Sequence, residues 1–418
     1  MYLRKIRLEN IKCFQDTEID FDLPGGENRK WTVLLGENGT GKSTILKAAG
    51  LLLAGSDALV ELVLKPGDWL RQGAGEGAIT GEIETSQGAV RELSLHFKRG
   101  EGVSAFHSRA RESLAPLNDA LQHTVRNYPI FGYGASRRLS GANAPRGGND
   151  FSHPRARSMA SLFDQDAQLN PLEQWAMDLD YRSEGHQIET VRKVLDDFLP
   201  ELSFAEIDKK SRALLFKTDD GLVPLDQLSD GYQNVAAWVG DLLFQITEIF
   251  DDYANPLHAR GVLIIDEVDL HLHPKWQRTL LDFLEKQLPK MQLVVTTHSV
   301  VTAQQTPENA LFYSTRTKTE GPKIVAFEGD PGGLLLNQLM ITEAFGHISD
   351  HSVKTEADKL RYRKLSRKAR KTEKDRDEMV RIEQRISDVS LGAREPIVMT
   401  DEQKALFRQL ARAQRAEE

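Results

Sequence analysis

The chain is poor in the features that would place it outside a reducing compartment or within a bilayer. Among its 418 residues there is one cysteine, Cys13. No internal disulfide can form, so a reducing, cytoplasmic setting is expected. No apolar run approaches the ~18–20 residues that a membrane span requires, so no membrane role is expected. The chain opens on a strand-like pattern rather than on the apolar core and small-residue cleavage site of a secretory leader. No internal repeat is evident. The chain is also not basic overall: its net charge is −8. A surface cationic throughout is thereby excluded, but a local basic patch is not. Between Arg361 and Arg376 nine Lys/Arg stand against two Asp/Glu, which leaves −15 on the rest.

An apolar content of 40% and a charged content of 28% describe a globular protein. Its length exceeds one ordinary core, so one large lobed domain or two domains are expected. Residues 36–44 read Gly36-Glu37-Asn38-Gly39-Thr40-Gly41-Lys42-Ser43-Thr44. The apolar run Trp31–Leu35 precedes them and Ile45-Leu46-Lys47-Ala48-Ala49 follows. Strand, glycine-rich loop and helix form the context a phosphate loop needs. Backbone N–H groups can curl around an anion there, and the helix N-terminus adds donors and a favourable dipole. Lys42 can reach the β- and γ-phosphates, and Ser43 can ligate Mg²⁺. ATP and Mg²⁺ are the expected cofactors.

The pattern elsewhere is α/β. Residues 1–23 alternate as two half-buried strands joined by Asn10-Ile11-Lys12-Cys13-Phe14, and 73–98 alternates again, predicting an antiparallel lobe. A helix is expected within 104–126, a strand at 128–135, a loop over 138–154 and helices over 158–200. Two strands near 203–207 and 212–217 lead to Leu228-Ser229-Asp230-Gly231-Tyr232-Gln233. An amphipathic helix follows, with Val235, Trp238, Val239, Leu242, Leu243 and Ile246 on one face. Val262–Ile265 is an unbroken apolar strand, and 275–288 with 293–297 completes a β–α–β unit. Beyond about 345 charge dominates: 355–388 reads as a long helix or helical pair, broken at Gly392 and Pro396. A last helix begins at Thr400, with a Thr-x-x-Gln cap ending at Gln403.

Asp266 and Glu267 end the apolar strand, where one carboxylate can hold Mg²⁺ and the other can polarise an attacking water. Asp266 is assigned to the metal and Glu267 to the water. His298 ends the neighbouring strand, where it can hydrogen-bond a terminal phosphate.

The order of these motifs resembles the ATP-binding-cassette ATPase superfamily in its SMC/RecF-like and OLD-like branch, over roughly residues 1–345. The resemblance implies a P-loop NTPase head: a mixed sheet core, an antiparallel β lobe and a helical lobe near 138–250, followed by a charged helical extension over 346–418. It makes Gly36–Thr44 the Walker A loop, Ser229 and Gly231 part of the signature motif, Val262–Glu267 Walker B, Asp269 part of the D-loop and His298 the switch histidine. Asn10–Phe14 resembles the branch's N-terminal turn. Two departures stand out. Asp230 stands at the second residue of the signature, where the family has glycine, and no glutamine loop is clear. Arginines stand in its place, and Arg137 is open between a phosphate or partner contact and a surface salt bridge.

The resemblance also implies a head-to-tail dimer in which ATP on one Walker A loop is covered by the other subunit's signature helix. The physics agrees, since Ser229 and Gly231 at a helix N-terminus form a second anion site with no ligand of their own. The strings Phe131–Arg137, Leu228–Tyr232 and Asp266–Pro274 are similar to a bacterial group of anti-phage defence ATPases, the PtuA type of Septu and retron modules. That similarity implies a separate nuclease partner of HNH or Toprim type. A RecF-like repair ATPase is the alternative. A transporter subunit is disfavoured by the separation of 187 positions from Lys42 to Ser229 and by the charged extension.

Other signals are weaker. His271-x-His273 lacks a third metal ligand nearby. Phe327-Glu328-Gly329 could open a Toprim nuclease, but the only later Asp-x-Asp is Asp375-Arg376-Asp377, within a helical run. The basic residues of 361–376 are open between nucleic-acid phosphates and a solvated helix. Leu406, Phe407 and Leu410 suggest that the last helix docks on a partner or a second subunit.

Overall fold

The computed structural model describes residues 1–85, 87–123, 128–137, 151–170, 172–183, 188–199, 202–208, 210–211, 213–219, 221–250, 256–317, 321–349, 351–368 and 370–389. The alternating start forms β1 (Tyr2–Ile11), which turns back into β2 (Phe14–Asp20). Asn10 and Lys12 make the turn by taking left-handed backbone angles, φ 52° and 51°. Next come β3 (Trp31–Leu35), the glycine-rich loop, α1 (Lys42–Ala54) and α2 (Ser56–Leu62). β4 (Glu76–Glu84) and β5 (Val90–Lys98) join the first two strands in an antiparallel sheet of order β2-β1-β4-β5.

The helix expected within 104–126 is two, α3 (Val103–Ser113) and α4 (Ala115–His123). Pro116 explains the break. It has no N–H for the carbonyl four residues earlier, and as the second residue of α4 it needs none.

After β6 (Ile130–Tyr133) come α5 (Pro154–Arg157), α6 (Ala160–Phe163), α7 (Leu172–Ser183) and α8 (Ile188–Phe198). The helical stretch expected over 158–200 is interrupted between α6 and α7. There Asp164 accepts the Asp166 amide at 3.0 Å in a turn, and Pro171 biases Asn170 away from helix. Most of the expected loop over 138–154 lies outside the described residues. β7 (Ser203–Asp208) and β8 (Ala213–Thr218) match the two expected strands. A third, β9 (Gly221–Pro224), extends them into an antiparallel meander through a turn at Gly221, φ 114°. The expected helical lobe therefore also contains a small sheet.

The chain continues through α9 (Asp230–Ile249), β10 (Gly261–Ile265), α10 (Pro274–Gln287), β11 (Met291–Thr297) and α11 (Val300–Gln304). It then runs through β12 (Leu311–Thr317), β13 (Gly321–Ala326) and α12 (Leu336–Met340). The central sheet has the order β13-β12-β3-β11-β10-β6, parallel except for β13. This is a P-loop α/β fold with a mixed sheet and an antiparallel lobe.

Side chains of the central strands alternate between two cores, as the period of two requires. Leu263, Ile265, Leu293, Val295, Val33 and Leu35 join α9 and α10 on one face. Val262, Ile264, Val294 and Leu34 join α1 and the antiparallel lobe on the other. Gln292 fastens that lobe to the sheet: its side chain accepts from Leu3 N at 2.7 Å and donates to Leu3 O at 2.8 Å, fully buried. The strand ends that carry the candidate site are thus held by burial on both sides.

Contacts divide the chain into two compact units, Met1–Ile348 and Ser349–Glu418. The second unit contains α13 (Val353–Ser366) and α14 (Glu373–Val389), an antiparallel pair around Leu365 and Ile382. Asp375 and Asp377 lie within α14, and no strand precedes them in this unit among the described residues. Gly392, Pro396 and the helix expected from Thr400, with Leu406, Phe407 and Leu410, lie outside the described residues. Among the described residues no helix is long and apolar enough to cross a membrane.

Candidate active site

The glycine-rich loop can close only because two of its residues lack a Cβ where the backbone is left-handed. Gly39 and Gly41 have φ 77° and 95°. A Cβ on Gly41 would stand 2.5 Å from Phe14 Cζ and 2.6 Å from Cys13 Sγ. The loop is therefore seated on the β1–β2 turn. Lys42 folds back along it, donating from Nζ to Gly36 O at 2.8 Å and Glu37 O at 2.9 Å. Burial lowers the lysine's pKa, against the opposing pull of Asp266 and Glu267. Thr40 Oγ1 donates to Glu37 O at 2.8 Å and fixes the loop's crest. Gly36 lies against Ser314, where a Cβ would meet the serine Cβ at 3.0 Å.

β10, two strands from β3 in the sheet, leads directly into Asp266 and Glu267, and a single hydroxyl organises both. Thr296 Oγ1 donates to Asp266 Oδ1 at 2.6 Å and accepts the Glu267 amide at 2.7 Å. The next residue points the other way: Thr297 Oγ1, with Thr302 Oγ1, donates to Asp269 Oδ2, at 2.7 and 2.6 Å. Glu267 itself sits at φ 49°, an uncommon conformation for a residue with a side chain. His298, at the end of β11, is exposed. Partial burial and then Lys42 hold its pKa below the ordinary histidine value, against Glu267, Asp269 and Asp266.

These groups share one cavity of about 330 Å³, lined by Lys12, Cys13, Asn38, Gly39, Gly41, Lys42, Ser43, Thr44, Asp266, Glu267 and His298. Loop N–H groups and a lysine can take a polyanion. A hydroxyl and a carboxylate can serve a hard divalent cation, and a second carboxylate can take a proton from water.

Several of the residues singled out in the sequence are not among that lining. Gly36 and Thr40 shape the loop from behind. Arg137 is buried, which corrects the reading of it as a surface salt bridge. Its Nε donates to Gly134 O at 2.8 Å and its Nη1 to Asn234 Oδ1 at 3.3 Å. Its Nη2 donates to Glu267 O at 2.6 Å and also to Asp266 O. Burial pushes its pKa down to about 10, so the guanidinium stays charged at neutral pH. It is neither a surface ion pair nor part of the cavity wall. Ser229, the N-cap residue of α9, is exposed and makes no side-chain capping bond. Gly231 lets α9 close on the segment after β10, since a Cβ there would lie 2.8 Å from His271 O. His273 caps α10 by accepting from Lys275 N at 3.2 Å.

Sequence reasoning did not pick out Thr296, Thr297, Thr302 or Asn234, nor Lys12 and Cys13 as cavity residues. Adjacent threonines at the end of an apolar strand were the available signal. In a strand they face opposite sides, and each needs a polar partner when buried.

The fold and this cavity are those of a P-loop nucleotide-binding domain, and the chain is similar to AAA/ABC-type ATPases. Residues 105–303 match the family described as "AAA domain, putative AbiEii toxin, Type IV TA system", and residues 5–128 match another described as "AAA domain". The chain is related to Septu protein PtuA of Bacillus mycoides (strain KBAB4), at 27% identity over 71% of this chain and 38% of that protein. It is likewise related to the "Retron Ec83 probable ATPase" of Escherichia coli, at 33% identity over 28% of this chain and 22% of that one. The OLD nuclease of Thermus scotoductus (strain ATCC 700910 / SA-01) is 24% identical over 72% of this chain and 60% of its own. The matched region thus spans well under half the length of the first two relatives.

Proposed function

We propose that the chain binds ATP with Mg²⁺ in this cavity and hydrolyses it in a site that a second copy completes. In this reading the nucleotide state controls a separate nuclease in an anti-phage defence complex. One observation carries it. Lys42, Ser43, Asp266, Glu267 and His298 meet on one small cavity, while Ser229 and the uncapped start of α9 are exposed and outside it. The donor set fits the ligand. Lys42 would exchange two loop carbonyls for phosphate oxygens. Ser43 and Asp266 would hold the Mg²⁺ with nucleotide oxygens and water. When bound, the ion neutralises phosphate charge and orients the terminal phosphate.

Glu267 then takes the proton of the attacking water, and a neutral His298 hydrogen-bonds the terminal phosphate. The second copy supplies Ser229 and the amides at the start of α9, an anion site that faces no ligand in its own subunit. Asp230 places a carboxylate beside that site, which favours slow or regulated turnover. The defence role rests on the kinship with the Septu and retron ATPases, and the nuclease partner rests on the same kinship.

Mixing two inactive variants tests the shared site. Lys42→Ala loses nucleotide binding and Ser229→Arg blocks the signature helix, so neither should hydrolyse ATP alone. Their mixture should regain activity, because one composite site then has an intact loop and an intact helix. A mixture as inactive as its parts overturns the shared site. Co-purification from the native host tests the partner: a nuclease is expected, and recombination factors or a permease would overturn the defence reading.

A further inference from the structure

The second unit sorts its charges into two populations. Along the stem, acids and cations are paired: Arg361 donates to Glu378 at 2.8 and 2.9 Å, and Arg385 to Asp358 at 2.9 and 2.7 Å. At the turn between α13 and α14, Asp375 accepts from Lys368 at 2.7 Å and from Thr372 N at 2.9 Å, which caps α14 and fixes the turn. Around that turn Arg363, Lys364, Arg367, Arg370, Lys371 and Lys374 are exposed, and none forms an ion pair among the described residues. The stem pairs hold together a hairpin whose tip carries uncompensated positive charge in a chain of net charge −8.

We propose that this tip grips the sugar–phosphate backbone of double-stranded nucleic acid, without reading its sequence. Charge complementarity gives the polyanion: closely spaced cations gain most from a dense row of phosphates, through counterion release. Leu360 and Val380 are exposed on the stem, but the tip itself exposes no large apolar group, which selects among polyanions. Between Arg361 and Arg376 the large apolar side chains are Tyr362, half-buried, and Leu365, fully buried. An anionic membrane is bound by basic segments that also insert apolar side chains, and this tip offers none. Single strands are held by stacking on exposed aromatics, which are missing too. What remains is backbone contact, which positions a protein on a duplex and carries no sequence information.

The test is fluorescence anisotropy with the full chain, using labelled DNA and RNA duplexes of about 30 base pairs at several salt concentrations. Lipid vesicles containing phosphatidylserine form the parallel arm. The wild-type chain should bind duplexes of unrelated sequence with equal affinity and a steep salt dependence. Replacing Arg367, Arg370 and Lys371 together by Gln should weaken binding about tenfold or more, and lower the slope of log K against log salt by about 2 to 3. The same number of exchanges at Lys98, Lys286 and Lys290 should leave both unchanged. Arg370→Gln with Lys371→Gln alters only residues between the helices, so it serves if the triple variant loses helix content. ATP hydrolysis by each variant is read in parallel and should match wild type, which keeps this result separate from the ATPase reading. No duplex binding by the wild type, an unaltered salt slope in the tip variants, or loss of vesicle binding alone would overturn the proposal.

Discussion

The Nη2 atom of Arg137 donates to the main-chain oxygen of Glu267 at 2.6 Å and to that of Asp266, reaching from the segment after β6 beneath both carboxylates. Its Nη1 meets Asn234 on α9, so one guanidinium joins the end of Walker B to the helix that begins at Ser229. The left-handed backbone of Glu267 is held from both sides, by Arg137 at its carbonyl and by Thr296 at its amide.

Arg137 is accordingly a positioning residue. Arg137→Gln should retain ATP affinity within a few-fold but lower kcat on the order of 10- to 100-fold, because a small displacement of a reacting group is that costly. Arg137→Lys, which keeps the charge but not the planar fork, should recover only part of the loss. Steady-state kinetics with a separate binding titration makes the check. Equal losses in affinity and kcat would show general loosening instead.

The parts of this molecule legible in its sequence are those fixed by local pattern. Val262–Ile265 and Leu293–Val295 read as strands buried on both faces, and they are the centre of the sheet. The loop at Gly36–Thr44 could be placed between strand and helix from its immediate neighbours. Arg137 could not be placed this way, since three of the four atoms it bonds lie 97 to 130 residues away. Read locally, Ser136-Arg137-Arg138 looks like a solvated turn, and only the pairing of β6 with β10 turns it into a buried clamp. The breaks at Pro116 and Pro171 were written in the sequence but masked by helical periodicity on either side.

Thr296 carries two hydrogen bonds on one hydroxyl with no exposure to water. Thr296→Val keeps the shape and removes both, leaving the Glu267 amide and Asp266 Oδ1 short of a partner. The expected loss of stability is about 1–3 kcal/mol. Turnover should fall with it, and the Mg²⁺ concentration needed for half-maximal activity should rise. A denaturation curve and a Mg²⁺ titration read the two effects, and an unchanged Mg²⁺ requirement would separate Asp266 from the metal.

Gly41→Ala should abolish nucleotide binding. The new methyl group would fall within 2.6 Å of Phe14 and Cys13, and the residue sits at φ 95°, where a side chain costs about 1–2 kcal/mol. Relief requires the loop to leave the β1–β2 turn. Thermal denaturation with and without ATP should show a lower midpoint and no rise on adding nucleotide.

His298 has its pKa held below 6.5 by partial burial and by the positive charge of Lys42. The sign follows directly: the ring is neutral at pH 7 and gains a proton only as pH falls below its ordinary value. kcat/KM for ATP reports groups of the free enzyme, so its acid limb should lie below pH 6.5. Lys42 lines the same cavity as His298, so His298 itself is the residue to vary. His298→Asn should lower the rate and shift that limb. A profile of unchanged shape would assign the limb to another group.

Glu267→Gln isolates the carboxylate from everything that holds it. The amide is nearly isosteric, and the contacts at this position run through the main chain, to Thr296 and from Arg137, so the strand end should keep its shape. Nucleotide affinity should therefore be retained while turnover drops on the order of 10² to 10⁴, the usual contribution of a general base. With hydrolysis blocked, the second copy has no cause to leave. Light scattering with Mg²⁺ and ATP should show the variant at twice the mass it has without nucleotide. Undiminished hydrolysis would remove Glu267 from the chemistry. Lost hydrolysis with an unchanged mass would leave Glu267 as the base but place the whole site within one subunit, and Ser229 would then have no nucleotide to close on.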